Sequence, residues 1–480
     1  MKKIYIYILT IAFLTMPMAC DDALDINTDP LAATSAPPNS VLPFVFATYG
    51  NRKTTELGTR TTDVTQYLSA TFNSPRNGST SIFLTGNTWA IWYTDVLGNL
   101  ILLEQDAKAA GPTSNNVAAI AVIMKALAFY ELACIWDEVP FTEALNGVDF
   151  PFPQFDSQET VLRGSVSFLN EGISLVDGIP AEGNFDVSAG DLIYGGDMDL
   201  WRKFANSLKL RILMLIRNKD TSVDGDIVAT LAQPLVETNA EATLLRYEDA
   251  AGARNAWKQI LVQFSGSGTN AGAQFFGAGP VFRDIMFNKN DPRIKLFLDD
   301  LSGTDTYPTP NNGSFPTSTQ AIISDNVLRG DLPNQWMMPS EMALYRAELA
   351  LLGVTGDDPD VEMRNGVRLA CQFWGQDEAG PVSLTTTEID DYVASLPDLN
   401  ALSTADALRE VHEQLYVEAF LRPVVGWNHV RRTNTPALEP PPAASITTIL
   451  KRFNYPPDEV GSNPNTPANL PTDTKVWFEN

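Results

Sequence analysis

The segment Val117–Trp136 constrains the fold more than any other part of the sequence. It is apolar nearly all the way round a helix, and only Lys125 and Glu131 interrupt it. A helix that is hydrophobic on every side must be covered by other elements. No apolar run after residue 20 is both long enough and free enough of charge to cross a hydrocarbon layer of ~30 Å. The segment therefore predicts a central helix inside a helical bundle.

A second helix precedes the central one, because apolar residues between Trp89 and Leu103 recur at the spacing of one helix face. Asn87 or Thr88 is its predicted cap. A short Gly-Pro-Thr-Ser turn connects the two helices, which should form an antiparallel hairpin. No strand-like alternation longer than a few residues is present, so the predicted fold class is mostly α. Further helices are predicted from Asp156 or Ser157 onward, and over 201–215, 341–352, 360–373 and 406–421, the last capped by Ser403.

Two regions break the helical pattern. Residues 264–338 are rich in Gly, Asn, Asp, Ser, Thr and Pro, and residues 436–480 contain nine prolines. Loops of this length inside a compact protein are usually functional or packed across a surface. We therefore predict one domain over 39–480, in which a helical-hairpin scaffold, 39–263 and 339–435, carries a loop-rich cap.

The N-terminus predicts a lipid anchor. Two lysines, an apolar stretch and small residues ending in Ala19 form a secretory signal peptide, and Cys20 follows directly. Lipoprotein processing requires a cysteine at that position, and two or more acyl chains hold a protein durably on a membrane. The predictions are a signal peptide over 1–19, lipidation at Cys20 and a tether over 20–38. The alternative is an ordinary secreted protein in which Cys20 lies near the cleavage site by chance.

The charge of the chain argues against nucleic acid as a partner. Once the signal peptide is removed, 31 basic side chains face 58 acidic ones, a net charge of −27 that repels phosphate backbones. Besides Cys20 only Cys134 and Cys371 are present. They could pair in an oxidising compartment, but buried free thiols are favoured by their apolar helical surroundings.

The sequence offers little material for catalysis. His412 and His429 are the only histidines, and the Gly-rich stretches contain neither a G-x-S-x-G elbow nor a P-loop lysine. Carboxylate pairs for glycoside hydrolysis, or aspartates for calcium, can be drawn anywhere among 58 acidic residues and indicate nothing. We predict no enzyme activity, no cofactor and no metal site.

Seven stretches occur in order along almost the whole chain: LDINTDPLAATSAPPN (24–39), MKALAFYELACIWDEVPFTEAL (124–145), DLIYGGDMDLWRKFANSLKLRILMLI (191–216), NDPRI (290–294), MMPSEMALYRAELALLG (337–353), GWNHVRRTNTP (426–436) and LKRFNYPPDEVGSNPNTP (450–467). Together they resemble the SusD/RagB family of outer-membrane nutrient-binding lipoproteins, in particular its SusD-like branch. The third stretch is the most specific of them.

The resemblance implies tetratricopeptide-like helical pairs with a loop-rich half packed on them. It also implies a surface-exposed outer-membrane lipoprotein that captures oligosaccharides or peptides as the lid of a SusC-like TonB-dependent transporter. In this family acidic residues after the lipid cysteine, here Asp21 and Asp22, look like a surface-export signal. Two other functions stay open: a surface glycoside hydrolase, and an envelope adhesin or scaffold without a transport role.

The hallmark residues of these stretches are predicted to be structural. Trp201, Phe204 and Leu208 share one helix face and should be buried. The basic residues around them, Arg202 and Lys203, should be solvated or pair with carboxylates. Further along, Arg431 and Arg432 should clamp carboxylates or loop carbonyls, and Asp291-Pro292-Arg293 should form a turn.

Candidate ligand-binding residues lie on loops that mix aromatic side chains with hydrogen-bonding groups, as sugar or peptide recognition requires. For each, the alternative is that the aromatic ring holds its loop against the scaffold, which is favoured for Trp89 because that residue lies on the helix face. The resemblance adds that family binding sites draw on the first of these loops, 67–89. The candidates are Phe72, Asn73, Arg76, Phe83 and Trp89 in loop 67–89, Gln274 and Phe275 between glycines, and Trp336 at the end of the irregular region.

Overall fold

The computed structural model of the chain describes residues 36–265 and 275–480. Short π-helical segments extend several of its α-helices, over Lys53–Gly58, Ile91–Leu97 and Phe373–Asp377. The α-helices, labelled in chain order, are α1 Pro38–Arg52, α2 Thr59–Thr61, α3 Ile82–Ala90, α4 Gly98–Ala110, α5 Asn115–Trp136, α6 Gln158–Asp177, α7 Met198–Arg217, α8 Asp224–Leu231, α9 Ala256–Ser265, α10 Pro280–Asn288, α11 Ile294–Phe297, α12 Pro339–Leu351, α13 Pro359–Gln372, α14 Thr386–Ser395, α15 Thr404–Glu418, α16 Pro423–Thr433 and α17 Pro457–Ser462.

The strands of the described residues are two to four residues long and form three antiparallel pairs. Each pair joins distant parts of the chain or closes a long loop, so the strands tie loops to the helical scaffold. They are β1 Val139–Pro140 with β2 Phe155–Asp156, β3 Thr243–Leu245 with β6 Asn334–Met337, and β4 Leu298–Asp299 with β5 Ile322–Ile323.

The predicted central helix is confirmed as α5. From Asn116 to Trp136 every residue of it is buried, including both charged interruptions. By length and composition Pro112–Trp136 would suffice to cross a membrane, so the sequence-based statement that no such run exists was too strict. Protein covers its most apolar 18 residues completely, however, which identifies it as a core helix.

Consecutive helices pack against one another as antiparallel pairs. Helix α5 packs on α4 before it and on α6 after it, and α6 packs on α7. Helix α12 likewise packs on α13 and on α15. Among the described residues, the hydrophobic core runs from Leu42 to Phe478. The prediction of a mostly α fold with tetratricopeptide-like hairpins is confirmed; the division of residues 39–480 as a single domain stays a prediction.

Two of the three predicted helix caps are confirmed. The Ser157 side chain accepts a hydrogen bond from the Thr160 N–H, and Ser403 accepts one from Asp406. The cap of the helix before the central one was wrongly placed at Asn87 or Thr88. Ser81 caps it instead, and the helical run begins at Ile82. The first N–H groups of a helix have no carbonyl partner within the helix, and the Ser81 hydroxyl accepts a hydrogen bond from one of them.

Charges inside the scaffold are paired. On the central helix, Lys125 contacts Glu104, and Glu131 contacts Lys53 and accepts a hydrogen bond of 2.8 Å from the Tyr49 hydroxyl. A buried charge without a partner would cost several kcal/mol, roughly 3–5 when one member of a pair is removed. These pairs explain how a helix with two charged residues can lie in the core.

A second buried network joins α7, α12, α15 and Arg422, the residue before α16. Glu341 accepts two hydrogen bonds of 2.7 Å from the Arg211 guanidinium and one of 2.5 Å from Arg422. Arg422 also pairs with Glu418. Burial alone would raise the pKa of Glu341, but the two guanidinium groups lower it to about 2. The carboxylate therefore stays ionised in the core.

The structural interpretation of the hallmark residues is confirmed. Trp201, Phe204 and Leu208 are fully buried. Arg202 pairs with Asp177 and Asp199, and Lys203 with Glu241. Arg293 and Arg432 pair with buried Asp291 and Glu348, while Arg431 donates to the carbonyl oxygens of Cys134 and Lys451.

Cys134 and Cys371 are both free thiols in the structure. Each is fully buried, and burial raises the pKa of each thiol to about 12. A thiol that stays protonated is a poor nucleophile. The two cysteines therefore act as small core residues.

Candidate ligand-binding site

Three loops that are distant in the sequence meet at one surface of the protein. The Ser69 N–H donates to the Gly277 carbonyl at 2.9 Å, and the Gly313 N–H donates to the Ser69 carbonyl at 2.8 Å. Leu68 also forms an isolated antiparallel bridge with Ala278. Backbone hydrogen bonds thus fix the positions of loops 69–76, 275–278 and 311–316 relative to one another.

Two glycines make this close approach sterically feasible. A Cβ atom at Gly277 would lie 2.7 Å from the Ser69 hydroxyl oxygen and 2.8 Å from Pro310. Gly313 has a φ of +87°, a conformation that costs glycine little, and a Cβ there would lie 2.7 Å from Pro441. A side chain at Gly277 would collide with Ser69 and Pro310, and one at Gly313 would collide with Pro441, so neighbouring residues would have to shift.

The three loops bring three phenyl rings together at the surface. The ring centroid of Phe72 lies 4.9 Å from that of Phe275 and 5.1 Å from that of Phe315. The rings are tilted by 51° and 37°, so they form a bent rather than a flat surface. Phe72 is 59% exposed and Phe315 39% exposed. We call Phe72, Phe275 and Phe315 the phenyl platform.

Asp63 holds the loop that presents Phe72. Its carboxylate accepts hydrogen bonds from the Thr71 N–H at 3.0 Å and from the Ser74 hydroxyl at 2.5 Å, on either side of the exposed pair Phe72 and Asn73. Arg76 donates to the same carboxylate at 2.8 Å and to the Thr71 carbonyl at 2.9 Å. The loop tip is therefore clamped at both ends.

Arg76 also approaches the third loop, because its guanidinium lies 3.4 Å from the Gly313 carbonyl oxygen. Its side chain is mostly buried. Burial raises the pKa of Asp63, and the hydrogen bond from Ser74 and the charge of Arg76 offset this only in part. The sequence analysis placed Arg76 among the contacts to a ligand. In the structure its guanidinium contacts both the loop of Phe72 and the loop of Phe315.

Of the remaining candidates of loop 67–89, Asn73 adjoins the platform, whereas the rings of Phe83 and Trp89 do not contact it. Asn73 is exposed beside Phe72, with a φ of +51°. Phe83 is 69% exposed on α3, but its ring contacts no other aromatic ring of the described residues. The Trp89 ring lies 5.0 Å from Trp136 and 4.7 Å from Tyr93, so it packs against the scaffold as the alternative interpretation held.

The structure corrects the expectation for Trp336. This residue is 2% exposed and lies in β6, with its ring 4.9 Å from Tyr49 and 6.0 Å from Phe46. Its indole N–H donates to the Asn334 side chain at 2.9 Å. Pairing of β6 with β3 carries the tryptophan into the core, so its ring is inaccessible to a ligand. Two other predicted residues, Cys20 and Gln274, lie outside the described residues.

Sequence reasoning missed Phe315 and Asp63. Phe315 stands between Gly-Ser and Pro-Thr in a polar loop, the same aromatic-in-polar pattern that singled out Phe72 and Phe275. Asp63 carries no such signal, because its partners are backbone groups and side chains that only the fold assembles.

The two histidines lie together inside the scaffold. Their rings are 5.7 Å apart, and His429 Nε2 is 2.8 Å from the His412 carbonyl oxygen. Burial, with a smaller effect of His412, lowers the pKa of His429 well below its usual value. In the described part of the chain, no group of three or more His, Cys, Asp or Glu side chains is placed to hold a metal ion.

Comparisons with known proteins agree on one family. A SusD-like family model, described as starch-binding and associating with the outer membrane, matches residues 32–456. No curated protein matches the sequence significantly.

Solved structures show the same fold. A Bacteroidetes AC2a SusD-like protein superposes with a TM-score of 0.79 at 20% identity, covering 92% of this chain and 100% of its own. A chitin-binding protein gives 0.77 at 20% identity, with coverages of 92% and 100%. A SusD homologue from Bacteroides uniformis ATCC 8492 gives 0.75 at 17% identity, with coverages of 92% and 99%.

Proposed function

Because the chain belongs to the SusD-like family, described as starch-binding and associating with the outer membrane, we propose that it binds nutrient oligosaccharides at the phenyl platform and delivers them to a SusC-like TonB-dependent transporter. The family is described by binding, and the structural neighbours named above are binding proteins or SusD homologues. The protein is accordingly a non-catalytic binding protein, and the glycoside hydrolase alternative is set aside.

The exposed, bent phenyl platform is the observation that carries the binding proposal. Sugar rings present C–H faces that pack on aromatic rings, and burial of such apolar area stabilises a complex by ~25 cal/mol per Å². Phe72 and Phe315 are exposed, although phenylalanine is usually buried. Asn73, beside Phe72, offers an amide for a sugar hydroxyl. The hydrogen bonds to Asp63 and the close approaches at Gly277 and Gly313 hold the phenyl rings in place, so little ordering is required on binding.

Calorimetry on residues 21–480 tests this proposal, since the described core starts at Leu42. We expect starch- and chitin-derived oligosaccharides to be the first classes that bind, and Phe72→Ala to weaken binding about tenfold. Phe44→Ala is the matched control, because Phe44 is similarly exposed but lies on α1.

Phe83→Ala separates the platform from the earlier sequence-based candidates, because Phe83 is exposed on α3. Unchanged affinity in Phe83→Ala together with a loss in Phe72→Ala supports the platform. Binding of a peptide library, with no glycan bound, would instead identify peptides as the cargo. If neither a glycan nor a peptide binds, the result would favour the adhesin or scaffold alternative.

A surface loop supports the transporter as a partner. Val148 is 94% exposed, and Leu145, Phe150 and Phe152 beside it are also exposed. The loop is held in place, because Asn465 and Asn463 donate to the carbonyls of Phe152 and Pro153. Apolar side chains on such a rigid loop are typical of a protein interface. Among the described residues, several carboxylates around it have no basic side chain within 4.0 Å: Glu138, Glu143, Asp149, Asp156, Asp458 and Glu459.

The transporter proposal is tested by co-purification from outer membranes. A large TonB-dependent barrel should accompany the wild-type chain, and the double change Val148→Asp and Phe152→Asp should abolish this association. The same double change should leave glycan binding by residues 21–480 unaltered. Loss of glycan binding as well would show that the loop belongs to the binding site.

Membrane attachment through Cys20 is the third part of the proposal. Cys20→Ala should move the protein from the outer-membrane fraction to a soluble one, and mass spectrometry should find acyl chains on the wild-type N-terminus alone. Accessibility to protease added to whole cells tests surface exposure. An unacylated wild-type protein in the periplasm would contradict this part.

A further inference from the structure

Asparagine followed by glycine occurs four times in the chain, and this dipeptide readily loses its side-chain amide. The peptide nitrogen of the glycine attacks the side-chain carbonyl carbon of the asparagine, and a residue without a Cβ atom leaves that approach open. The reaction is fastest where the glycine N–H has no other hydrogen bond to break. The four pairs are Asn77-Gly78, Asn146-Gly147, Asn312-Gly313 and Asn365-Gly366.

The fold protects three of these pairs. The Gly78 N–H donates to the Pro75 carbonyl at 2.8 Å, and the Gly313 N–H donates to the Ser69 carbonyl at 2.8 Å. Gly366 is buried within α13, where each N–H bonds to a carbonyl of the preceding turn. At each of the three pairs, attack would first require an existing hydrogen bond to break.

Gly147 differs from the other three glycines. In the described part of the chain no acceptor is bonded to its N–H. A Cβ atom at Gly147 would have no heavy atom within 4 Å, whereas one at Gly366 would lie 2.8 Å from Leu344. Residues 145–150 are all exposed. The nitrogen of Gly147 is therefore both free and accessible to water.

The amide of Asn146 helps to close the exposed apolar loop. Its Nδ2 donates to the Asp149 carboxylate at 3.0 Å, and its main-chain carbonyl accepts from the Phe150 N–H at 2.8 Å. If the amide becomes a carboxylate, two negative charges face each other where a hydrogen bond stood. If the product is isoaspartate, an extra methylene also enters the main chain of this turn. Either product weakens the closure of the loop.

We infer that Asn146 is a site of spontaneous deamidation, and that its conversion loosens the exposed apolar loop around Val148. The Gly147 nitrogen bonds to Asn146 Cγ, the Cγ–Nδ2 bond breaks, and ammonia leaves with the proton of the Gly147 N–H. Solvent water then opens the cyclic imide at one carbonyl to give aspartate, or at the other to give isoaspartate. Loosening also weakens docking to the transporter, a consequence that rests on the proposed function.

Conversion is measured on residues 21–480, incubated for several weeks in mildly alkaline buffer. Peptide mass spectrometry follows the replacement of the amide NH2 by OH. Asn146 should convert at least about tenfold faster than Asn77 and Asn312, because breaking a hydrogen bond of ordinary strength costs about one decade in rate. Gly147→Ala should slow the conversion several-fold at an unchanged melting temperature, because the added Cβ meets no atom within 4 Å. An intact amide at Asn146, or equal conversion at all four pairs, would overturn the inference.

Loosening of the loop is measured with Asn146→Asp, which reproduces one product. Hydrogen exchange at the Phe150 N–H should be about tenfold faster than in the wild-type chain. Asn77→Asp is the matched control, because it adds the same charge at another exposed Asn-Gly pair and should leave exchange at Phe150 unchanged. Equal exchange at Phe150 in the two variants would show that the amide does not close the loop.

Co-purification from outer membranes separates this inference from the transporter proposal. Asn146→Asp should lower the amount of barrel recovered with the chain several-fold, whereas Asn77→Asp should not. Full recovery with Asn146→Asp would overturn the effect on docking. If no barrel accompanies even the wild-type chain, the transporter proposal fails, and the conversion and exchange measurements still decide whether Asn146 is a modification site.

Discussion

The buried network around Glu341 and the clamp around Asp63 use the same chemistry with opposite electrostatic results. Glu341 lies between two buried guanidinium groups, and its pKa falls to about 2. Asp63 has one guanidinium partner, and burial raises its pKa. One cation therefore does not offset the cost of burying a carboxylate here, whereas two do. In the helical interior the carboxylate is stabilised by charge pairing, whereas at the loop surface the carboxylate holds the loop that carries an aromatic ring.

Removing the carboxylate of the helical network should have the largest effect. Glu341→Ala leaves Arg211 and Arg422 without that partner in the core, and we expect the free energy of unfolding to fall by ~5 kcal/mol, measured by urea denaturation. Glu237→Ala is the control, because its carboxylate pairs with Arg346 at the surface and should cost under ~1 kcal/mol. A similar small loss in both variants would show that the network is not a stabilising feature of the scaffold.

Trp336→Ala should have the next largest effect, about 3 to 4 kcal/mol of unfolding free energy, because it leaves a cavity between Tyr49 and Phe46. Phe72→Ala, an aromatic deletion on the platform, should cost under ~0.5 kcal/mol. Comparing the melting temperatures of the Trp336→Ala and Phe72→Ala variants tests this difference. A stable Trp336→Ala variant with impaired glycan binding would restore the ligand-contact interpretation.

Acid should destabilise the protein before the carboxylates titrate. The pKa of His429 is lowered in the fold, so below about pH 6.5 the unfolded chain takes up a proton that the folded chain does not. Stability should fall by about 1 kcal/mol between pH 7 and 5.5. Below about pH 4.5 the stabilisation from Glu341 should also be lost progressively towards its folded pKa of about 2. In the His429→Gln variant the loss of stability between pH 7 and 5.5, measured by urea denaturation at each pH, should disappear. An unchanged loss would refute the assignment of this step to His429.

Asp63→Asn should have a small effect on stability, below ~1 kcal/mol, because burial raises the pKa of Asp63 and the fold therefore does not favour its charge. Glycan affinity should nevertheless fall several-fold, since the tip carrying Phe72 loses part of its clamp. Calorimetry and thermal denaturation on the same sample separate the two effects. Wild-type affinity would show that the platform does not need the clamp.

Much of the scaffold was predictable, because helix periodicity and capping are local. Ser157 and Ser403 cap the helices that they were predicted to cap, and the burial of Trp201 and Phe204 follows from their spacing. The start of α3 was misplaced, because Thr85-Gly-Asn-Thr88 resembles a loop, although the Ser81 cap and tertiary packing make these residues helical.

The site was predictable in part. Phe72 and Phe275 were selected one by one, as rings in polar loops, and the structure places them 4.9 Å apart. Trp336 has the same local pattern and is buried. Local composition does not distinguish the two cases, because exposure depends on which strand a residue pairs with.

By itself the sequence determined the helical hairpins, the burial of the hallmark residues Trp201, Phe204 and Leu208 and the family, because these depend on spacing along the chain. Only the tertiary structure decided which aromatic rings reach the surface together. Phe72 and Phe315 belong to loops more than 200 residues apart in the chain, and backbone hydrogen bonds through Ser69, Gly277 and Gly313 join them. Contacts of that separation are set by the packing of the whole fold, and no local pattern encodes them.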